Sequence, residues 1–441
     1  MGTKTVLKAF KLRSYPTAEQ KSLFARTEGA GRYVYNRVLR ELSEAYRNGE
    51  KKSVIDMSRE VTQWKKDEET AWLSEVPSGP LTQSLRDLEK AYANFFAKRA
   101  AYPKPHKKLY GCSIRMQIDQ RLASAANAWH EQRVILPGFG EIKLAQPERI
   151  PVERAKMVTL SRDGAGRFFI SFAVEQAVQP LPATGASVGV DLGVKTLATL
   201  STGEKVEAAK KLKKPQRRLK HQQRTLSRRQ GARKGEARSR RYLRQKARVA
   251  RIQCRIADIR ADGIHKLTNR LVREFDVAAL ENLNVKGMMA SAKGTAGSPG
   301  KHVAQKAGLN RGIANAGFGE VRRQVAYKAS WHGRVLLLAG RFDATSKTCS
   351  ECGHRLEALK LHVREWDCPA CGAHHDRDVN AAKNILRFAI AGGTGEGSVI
   401  PDARGGQNPR RRKAKADLPK VPVEARTECG HADCRPERHS A

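Results

Sequence analysis

The chain has 441 residues, 84 Lys and Arg against 44 Asp and Glu, and a formal net charge of +40. That length supports two to four domains, and the charge points to a polyanionic partner, nucleic acid above all. No run approaches the roughly 18 apolar residues of a membrane span, and the start Met1-Gly2-Thr3-Lys4-Thr5 lacks the apolar stretch of a secretory signal. The expected setting is therefore the cytoplasm, with no membrane partner. There, eight cysteines read as metal ligands or free thiols before disulfides.

Residues 5–15 read as a strand, with Phe10 and Leu12 alternating with Lys11 and Arg13. Pro16 breaks it, and Thr17 with Gln20 has the spacing of a capping box that opens a helix. Apolar residues at Leu23, Ala30, Val34, Val38 and Leu42 make a helical stripe. Further helices are expected over 54–66 and 80–99, the latter carrying Leu81, Leu85, Leu88 and Tyr92. Such stripes are the core of a helical unit, with Arg and Lys outside.

From 110 to 180 the pattern turns to short strands. They are Val134-Ile135-Leu136, Glu141-Ile142-Lys143-Leu144 and Phe168-Phe169-Ile170-Ser171-Phe172, with Gly-rich turns at 137–140 and 163–166. The first strand of the chain is expected to join this small β domain across the helical insert. Gln179-Pro180-Leu181-Pro182 reads as a linker. An α/β pattern follows, with strands ending at Asp191 and at Glu281, another at 196–200, and Val335-Leu336-Leu337-Leu338-Ala339 beyond them. Residues 206–272 read as a helical hairpin broken near Gly231, Gly294 to Gly300 as a flexible loop, and 317–331 as a helix. Within 201–260 there are 22 Lys and Arg against 4 Asp and Glu. That asymmetry exceeds the mixed-sign surface of an ordinary solvated helix and suggests a phosphate-tracking face, with Arg240, Arg241 and Arg244 as its test residues.

Cys349-Ser350-Glu351-Cys352 and Cys368-Pro369-Ala370-Cys371 are two C-x₂-C knuckles with the spacing of a closed structural zinc site. Four thiolates leave no open coordination position, and His354, His362, His374 and His375 read as solvated or loop residues, not needed as ligands. From Gly392 the chain is rich in Gly, Pro, Arg and Lys without apolar periodicity, and 392–441 reads as a disordered basic tail. Cys429, His431 and Cys434 lack a knuckle spacing and read as free thiols and a spare histidine.

Three carboxylates stand out. Asp191 and Glu281 end apolar strands, and Asp378 opens the segment Asp378-Val379-Asn380-Ala381-Ala382. Converging there, they would offer oxygen ligands to hard divalent cations such as Mg²⁺ or Mn²⁺, which favour phosphodiester cleavage.

With these motifs in view, the chain resembles the TnpB family, RNA-guided nucleases of bacterial insertion sequences related to compact type V CRISPR effectors. The resemblance spans about residues 3–390. It rests on the segments at 8–16 and 83–88, Gly189-Val190-Asp191-Leu192-Gly193-Val194, Leu280-Glu281-Asn282-Leu283, Thr348-Cys349-Ser350-Glu351-Cys352-Gly353 and 375–382. It implies a multidomain α+β fold: a β-barrel wedge domain at 1–16 and 105–180, with a helical recognition insert at 17–104. A split RuvC nuclease of RNase H-like fold would occupy 185–343 and 376–391, with a zinc ribbon at 344–375. It implies a metal-binding catalytic triad of Asp191, Glu281 and Asp378, with Asp376 the neighbouring alternative, and zinc on Cys349, Cys352, Cys368 and Cys371. It also implies a guide RNA from the element's own transcript, a double-stranded DNA target read beside a short motif, and a protein monomeric with its RNA. By position alone, Gln83 is a candidate for that motif contact. The alternatives are a non-cleaving RNA-guided regulator, which would lack a triad carboxylate, and a transposase acting directly in strand transfer.

Overall fold

The computed structural model describes residues 4–108, 111–117, 129–130, 133–145, 155–207, 212–230, 238–295, 297–360 and 362–392. The expected break near Gly231, the tail beyond Gly392 and Cys429, His431 and Cys434 lie outside these residues.

The chain opens with strand β1 (Lys4–Tyr15) and helix α1 (Ala18–Arg47). The helix starts where the sequence placed it. Thr17 Oγ1 accepts from the Gln20 amide at 3.2 Å, and the Gln20 side chain accepts from the Thr17 amide at 2.9 Å. The Gln20 amide group also donates to the carbonyls of Phe139 and Glu141, so the cap moors α1 to the β domain. α2 (Val54–Trp64), a 3₁₀ turn (Glu68–Glu75) and α3 (Ser78–Phe96) close over α1. Their shared core contains Val34, Val38, Met57, Leu73, Leu81 and Leu88, all essentially inaccessible to solvent. Each such side chain contributes roughly 1.5–3 kcal/mol on leaving water, so the insert has its own core rather than borrowing one.

β2 (Cys112–Gln117), β3 (Trp129–His130), β4 (Arg133–Leu136), β5 (Gly140–Leu144), β6 (Ala155–Arg162) and β7 (Phe168–Val178) join β1 in one antiparallel sheet. Its order is β2-β6-β7-β1-β5-β4-β3. The first strand is thus central, paired with β7 from Lys4↔Val178 to Ser14↔Phe168 and with β5 at Ser14↔Leu144. Among the described residues no pair joins the outer strands β2 and β3, so the sheet has two edges and the expected barrel closure is not among its pairings.

The second sheet holds β8 (Ser187–Asp191), β9 (Thr196–Leu200), β10 (Lys205–Glu207), β11 (Val277–Glu281) and β12 (Val335–Ala339) in the order β10-β9-β8-β11-β12. β8, β11 and β12 are parallel, while β9 and β10 run antiparallel at one side. Parallel strands are buried on both faces, which is why β8 and β11 read as unbroken apolar runs. The helices are α4 (Lys213–Arg228), α5 (Arg240–Glu274), α6 (Val285–Met288), α7 (Val303–Ala316), α8 (Phe318–His332) and α9 (Arg377–Gly392). Ile264, Leu267 and Leu271 of α5 and Val321 and Val325 of α8 cover one face of the sheet. Ile385 and Ala389 of α9 cover the other, against Ala279 and Ala339.

Two features depart from the sequence reading. The region expected to be helical from 206 begins instead with β10, whose Val206 pairs with Ala198. α7 lies where the sequence offered no strong stripe, and Gly317, at φ 66°, makes the left-handed link from α7 into α8.

Candidate active site

Asp191 and Glu281 sit at the carboxyl ends of the neighbouring parallel strands β8 and β11. Asp378 lies in the first turn of α9, which crosses those strands. The crossing is close because residue 189 is glycine. A Cβ there would stand 1.9 Å from the Ala382 carbonyl oxygen, so any side chain would lift the helix, and Asp378 with it, off the sheet.

The three carboxylates feel one another. Burial, then the negative charges of Glu281 and Asp378, push the Asp191 carboxyl up to about 7, against an opposing pull from Arg377 and Arg364. Burial raises the Glu281 carboxyl too, opposed by a hydrogen bond that Thr345 Oγ1 donates to Oε1 at 3.0 Å. Asp378 accepts from Arg364 at 3.4 Å. The neighbouring Asp376 is occupied otherwise. Its Oδ1 accepts the amides of Asp378 and Val379, both at 3.0 Å, capping α9, and its Oδ2 pairs with Lys205 at 2.5 Å. Burial opposes ionisation of Asp376, but the Lys205 ammonium and the two amides hold it below the ordinary carboxylate range.

The four knuckle cysteines also converge. Their sulfurs all lie within 4.8 Å of one another, the only group of three or more metal-ligating side chains that does so among the described residues. Cys349 to Cys371 is 3.7 Å and Cys352 to Cys368 is 3.5 Å. A tetrahedron of sulfurs about 2.3 Å from a central zinc has edges of about 3.8 Å, so the cluster has the size and donor set for that ion. Burial raises the Cys368 thiol, but the amides of Ala370 and Cys371 outweigh it and bring it down to about 7. One histidine departs from the sequence reading. His375 is buried, not solvated, and its Nε2 lies 3.0 Å from Cys349 Sγ. His374 is exposed and pairs with Asp367.

Gln83 lines a cavity of about 340 Å³ with Tyr35, His106 and Arg115, and bonds to Asp87, which Arg115 clamps at 2.5 and 2.6 Å. A cavity of about 650 Å³ between α1 and the 3₁₀ turn is remote from the carboxylates. Arg240, Arg241 and Arg244 are exposed on the first turns of α5, and no ion pair among the described residues uses them. Thr345 and the buried pair Asn380 and Asn384, discussed below, escaped sequence reasoning. The only signal was two asparagines four apart on the apolar side of a helix.

A sheet with acidic strand ends, crossed by a helix bearing a third carboxylate and carrying a four-cysteine module, defines a nuclease-like α/β protein. Comparison with known proteins agrees. A family model described as "Probable transposase" (OrfB, IS605) matches residues 170–292, and a Cas12f1-like TNB domain model matches 318–385. A helix-turn-helix model matches residues 1–51, although that segment forms one strand and a single 30-residue helix here. A protein of Streptomyces pristinaespiralis named "Putative RNA-guided DNA endonuclease" is 38% identical over 94% of this chain and 99% of its own length. "Putative RNA-guided DNA endonuclease InsQ" of Escherichia coli K12 is 36% identical over 86% of this chain and 92% of its own. The Cas12f1 chain from a complex with single-guide RNA and target DNA superposes with a TM-score of 0.51 at 12% identity, covering 87% of this chain and 99% of that one. At that identity the likeness concerns the fold alone. The chain belongs to the TnpB family of OrfB proteins of IS605-type insertion sequences. No helix among the described residues is long and apolar enough to cross a membrane.

Proposed function

We propose that this protein is an RNA-guided DNA endonuclease that hydrolyses phosphodiesters at Asp191, Glu281 and Asp378 with divalent metal. The observation that supports it most is the Asp191 carboxyl, pushed up to about 7 first by burial and then by the negative charges of Glu281 on the neighbouring parallel strand and Asp378 on the crossing helix. A cluster of this kind is costly for the bare fold and is relieved by cations, so oxygen-seeking Mg²⁺ or Mn²⁺ fits the donor set. Asp191, Glu281 and Asp378 would hold such ions through their carboxylate oxygens. Bound there, such ions polarise the scissile phosphate and lower the pKa of an attacking water. The protein's part is to hold the three carboxylates at fixed strand and helix positions and to present the strand to them.

The relatives named as RNA-guided endonucleases support a guide RNA and a DNA target as partners. The net charge of +40 suits a heteroduplex held by its backbone. In this reading residues 1–16 and 105–180 are the wedge, 17–104 the recognition insert, and 185–343 with 376–391 a RuvC-type nuclease. Zinc on Cys349, Cys352, Cys368 and Cys371 builds a ribbon at 344–375. Gln83 lies on the insert's face toward the wedge, within reach of a target-adjacent motif. Arg240, Arg241 and Arg244 follow nucleic-acid phosphates. The RNA comes from the element's own transcript, the protein acts as a monomer with it in the cytoplasm, and cleavage supports transposon maintenance. A non-cleaving regulator is disfavoured because all three carboxylates are present.

The test is purification with co-purifying RNA, sequencing of that RNA, and cleavage of a matching target library with and without Mg²⁺. RNA-programmed, metal-dependent cutting supports the proposal. Absence of bound RNA and of cutting with any matched target overturns it.

A further inference from the structure

The turn 345–350 touches Glu281, helix α9 and the cysteine cluster. Asn380 and Asn384 of α9 are buried and four residues apart, so both side chains leave the same face of the helix. Asn384 Nδ2 donates to the carbonyls of Thr345 at 2.9 Å and Thr348 at 2.6 Å. Asn380 Nδ2 donates to the Thr348 carbonyl at 2.8 Å, and its Oδ1 accepts the Ser350 amide at 2.8 Å. The turn so gripped carries Cys349, the first cysteine of the cluster, and, at its start, the Thr345 hydroxyl that donates to Glu281 Oε1. Thr345 is itself buried, at 7% exposure, and its amide is tied back to the Asp343 carbonyl at 2.9 Å.

We infer that Thr345 is a positioning residue for the catalytic carboxylates, fixing the Glu281 side chain through a turn that α9 and the cysteine cluster hold between them. The argument is one of freedom. Glu281 has three side-chain torsions and ends a strand that fixes only its backbone. Without a partner on Oε1 its carboxylate would sample several rotamers, turned away from Asp191 by the repulsion the two share. The hydroxyl removes that freedom and leaves Oε2 and the second lone pair of Oε1 for a cation. Because the Thr345 carbonyl is held by the helix that bears Asp378, the arrangement couples Glu281 on β11 to Asp378 on α9, although no bond joins the two acids directly. The inserted module then does more than stabilise itself: its first turn is the bracket between the two halves of the split site.

This inference rests on reading Asp191, Glu281 and Asp378 as metal ligands, and the experiment separates the two. Mn²⁺ binding to the full-length protein is titrated by electron paramagnetic resonance without nucleic acid, with zinc per chain measured in parallel. Partners that orient metal ligands typically account for 10–100-fold in affinity, so Thr345→Val, close in shape but without the hydroxyl, should weaken Mn²⁺ binding about tenfold at unchanged zinc content. Thr345→Ser, which restores the donor, should bind within about threefold of the parent. Glu281→Ala is the reference. If it binds Mn²⁺ like the parent, the metal-site reading itself fails. If Glu281→Ala is weakened but Thr345→Val binds like the parent, the positioning role is overturned. Should the valine variant lose zinc, the smaller Thr345→Ala replaces it, and a serine variant as weak as alanine overturns the inference.

Discussion

The two clusters of ligating side chains in the C-terminal half are built on opposite terms. The four cysteines lie together within 4.8 Å on short turns whose amides favour thiolate on Cys349 and Cys368. The three carboxylates come from two parallel strands and a helix far apart in sequence, and burial, then the charges of the other two, raises Asp191 toward neutrality. A closed site of local turns can serve as part of the fold. An open site of repelling acids has to be imposed on the fold by packing elsewhere, here by Gly189 beneath α9 and by the Thr345 turn. On the proposed reading, the difference would separate a metal that builds structure from metals that do chemistry.

The largest expected effect tests the open site. Asp191→Ala, Glu281→Ala and Asp378→Ala should each lower guided DNA cleavage by more than about a thousandfold while leaving RNA-dependent DNA binding near the parent, because ligands of one centre act as a unit and affinity comes from phosphate contacts. Asp376→Ala should cut more slowly by a far smaller factor, through loss of the α9 cap and the Lys205 pair. Cleavage assays on the four variants decide, and abolition by Asp376→Ala with activity in Asp378→Ala would reverse the assignment.

Next in size is the closed site. Cys352→Ser should drop zinc from about one per chain toward none and lower the melting temperature of the nuclease half, since binding at such sites is folding free energy of order 10 kcal/mol. Metal analysis showing no zinc in active parent protein would break the contrast between the two clusters.

A third prediction uses the raised Asp191 carboxyl. Its folded pKa of about 7 exceeds the ordinary 3.8, so the metal-free native state binds the extra proton. The stability this confers is present below about pH 4 and is lost as pH rises through 7, at up to about 1.4 kcal/mol per unit. In chelator, the parent should therefore fall in melting temperature from pH 5 to 8 relative to Asp191→Asn, and Mg²⁺ should reverse the fall. A difference independent of pH would show that the Asp191 carboxyl is not raised in solution.

The smallest effect concerns the basic helices. Replacing Arg240, Arg241 and Arg244 together with Ala should weaken guide RNA binding and reduce the salt slope by about two to three, as three phosphate contacts are lost, without altering sequence preference. Titrations at low and high salt read the change, and parental slopes would mark these charges as simply solvated.

Much of this was legible in the sequence because its signals are local. The Thr17–Gln20 cap, the apolar runs of β8, β11 and β12 and the paired knuckles each lie within about twenty residues, where spacing alone constrains geometry. β10 escaped because three residues carry too little periodicity to stand against a basic helical stretch, and only pairing with β9 makes them a strand. α7 escaped because it buries little beyond Ile313 and Ala316, so its sequence shows no stripe. His375 and Thr345 escaped for a different reason: each acts through one contact with a residue distant in the chain, and no local pattern encodes it. The choice between Asp376 and Asp378 came from motif resemblance. In the structure Asp376 caps α9 and pairs with Lys205.

The central place of β1 bears on how the molecule comes into being. Phe10 pairs with Phe172, about 160 residues later in the chain. At roughly 5–20 residues per second, a ribosome needs about 8–30 s to supply that partner, and until β5 is made the leading strand has neither neighbour. The helical insert, by contrast, can condense as soon as α3 is made. Its early closure brings the moored end of α1, and the strand before it, toward the place where β5 will emerge. A folding nucleus thus precedes the sheet it interrupts, and shortening the insert should slow maturation even where no contact to RNA or DNA is lost.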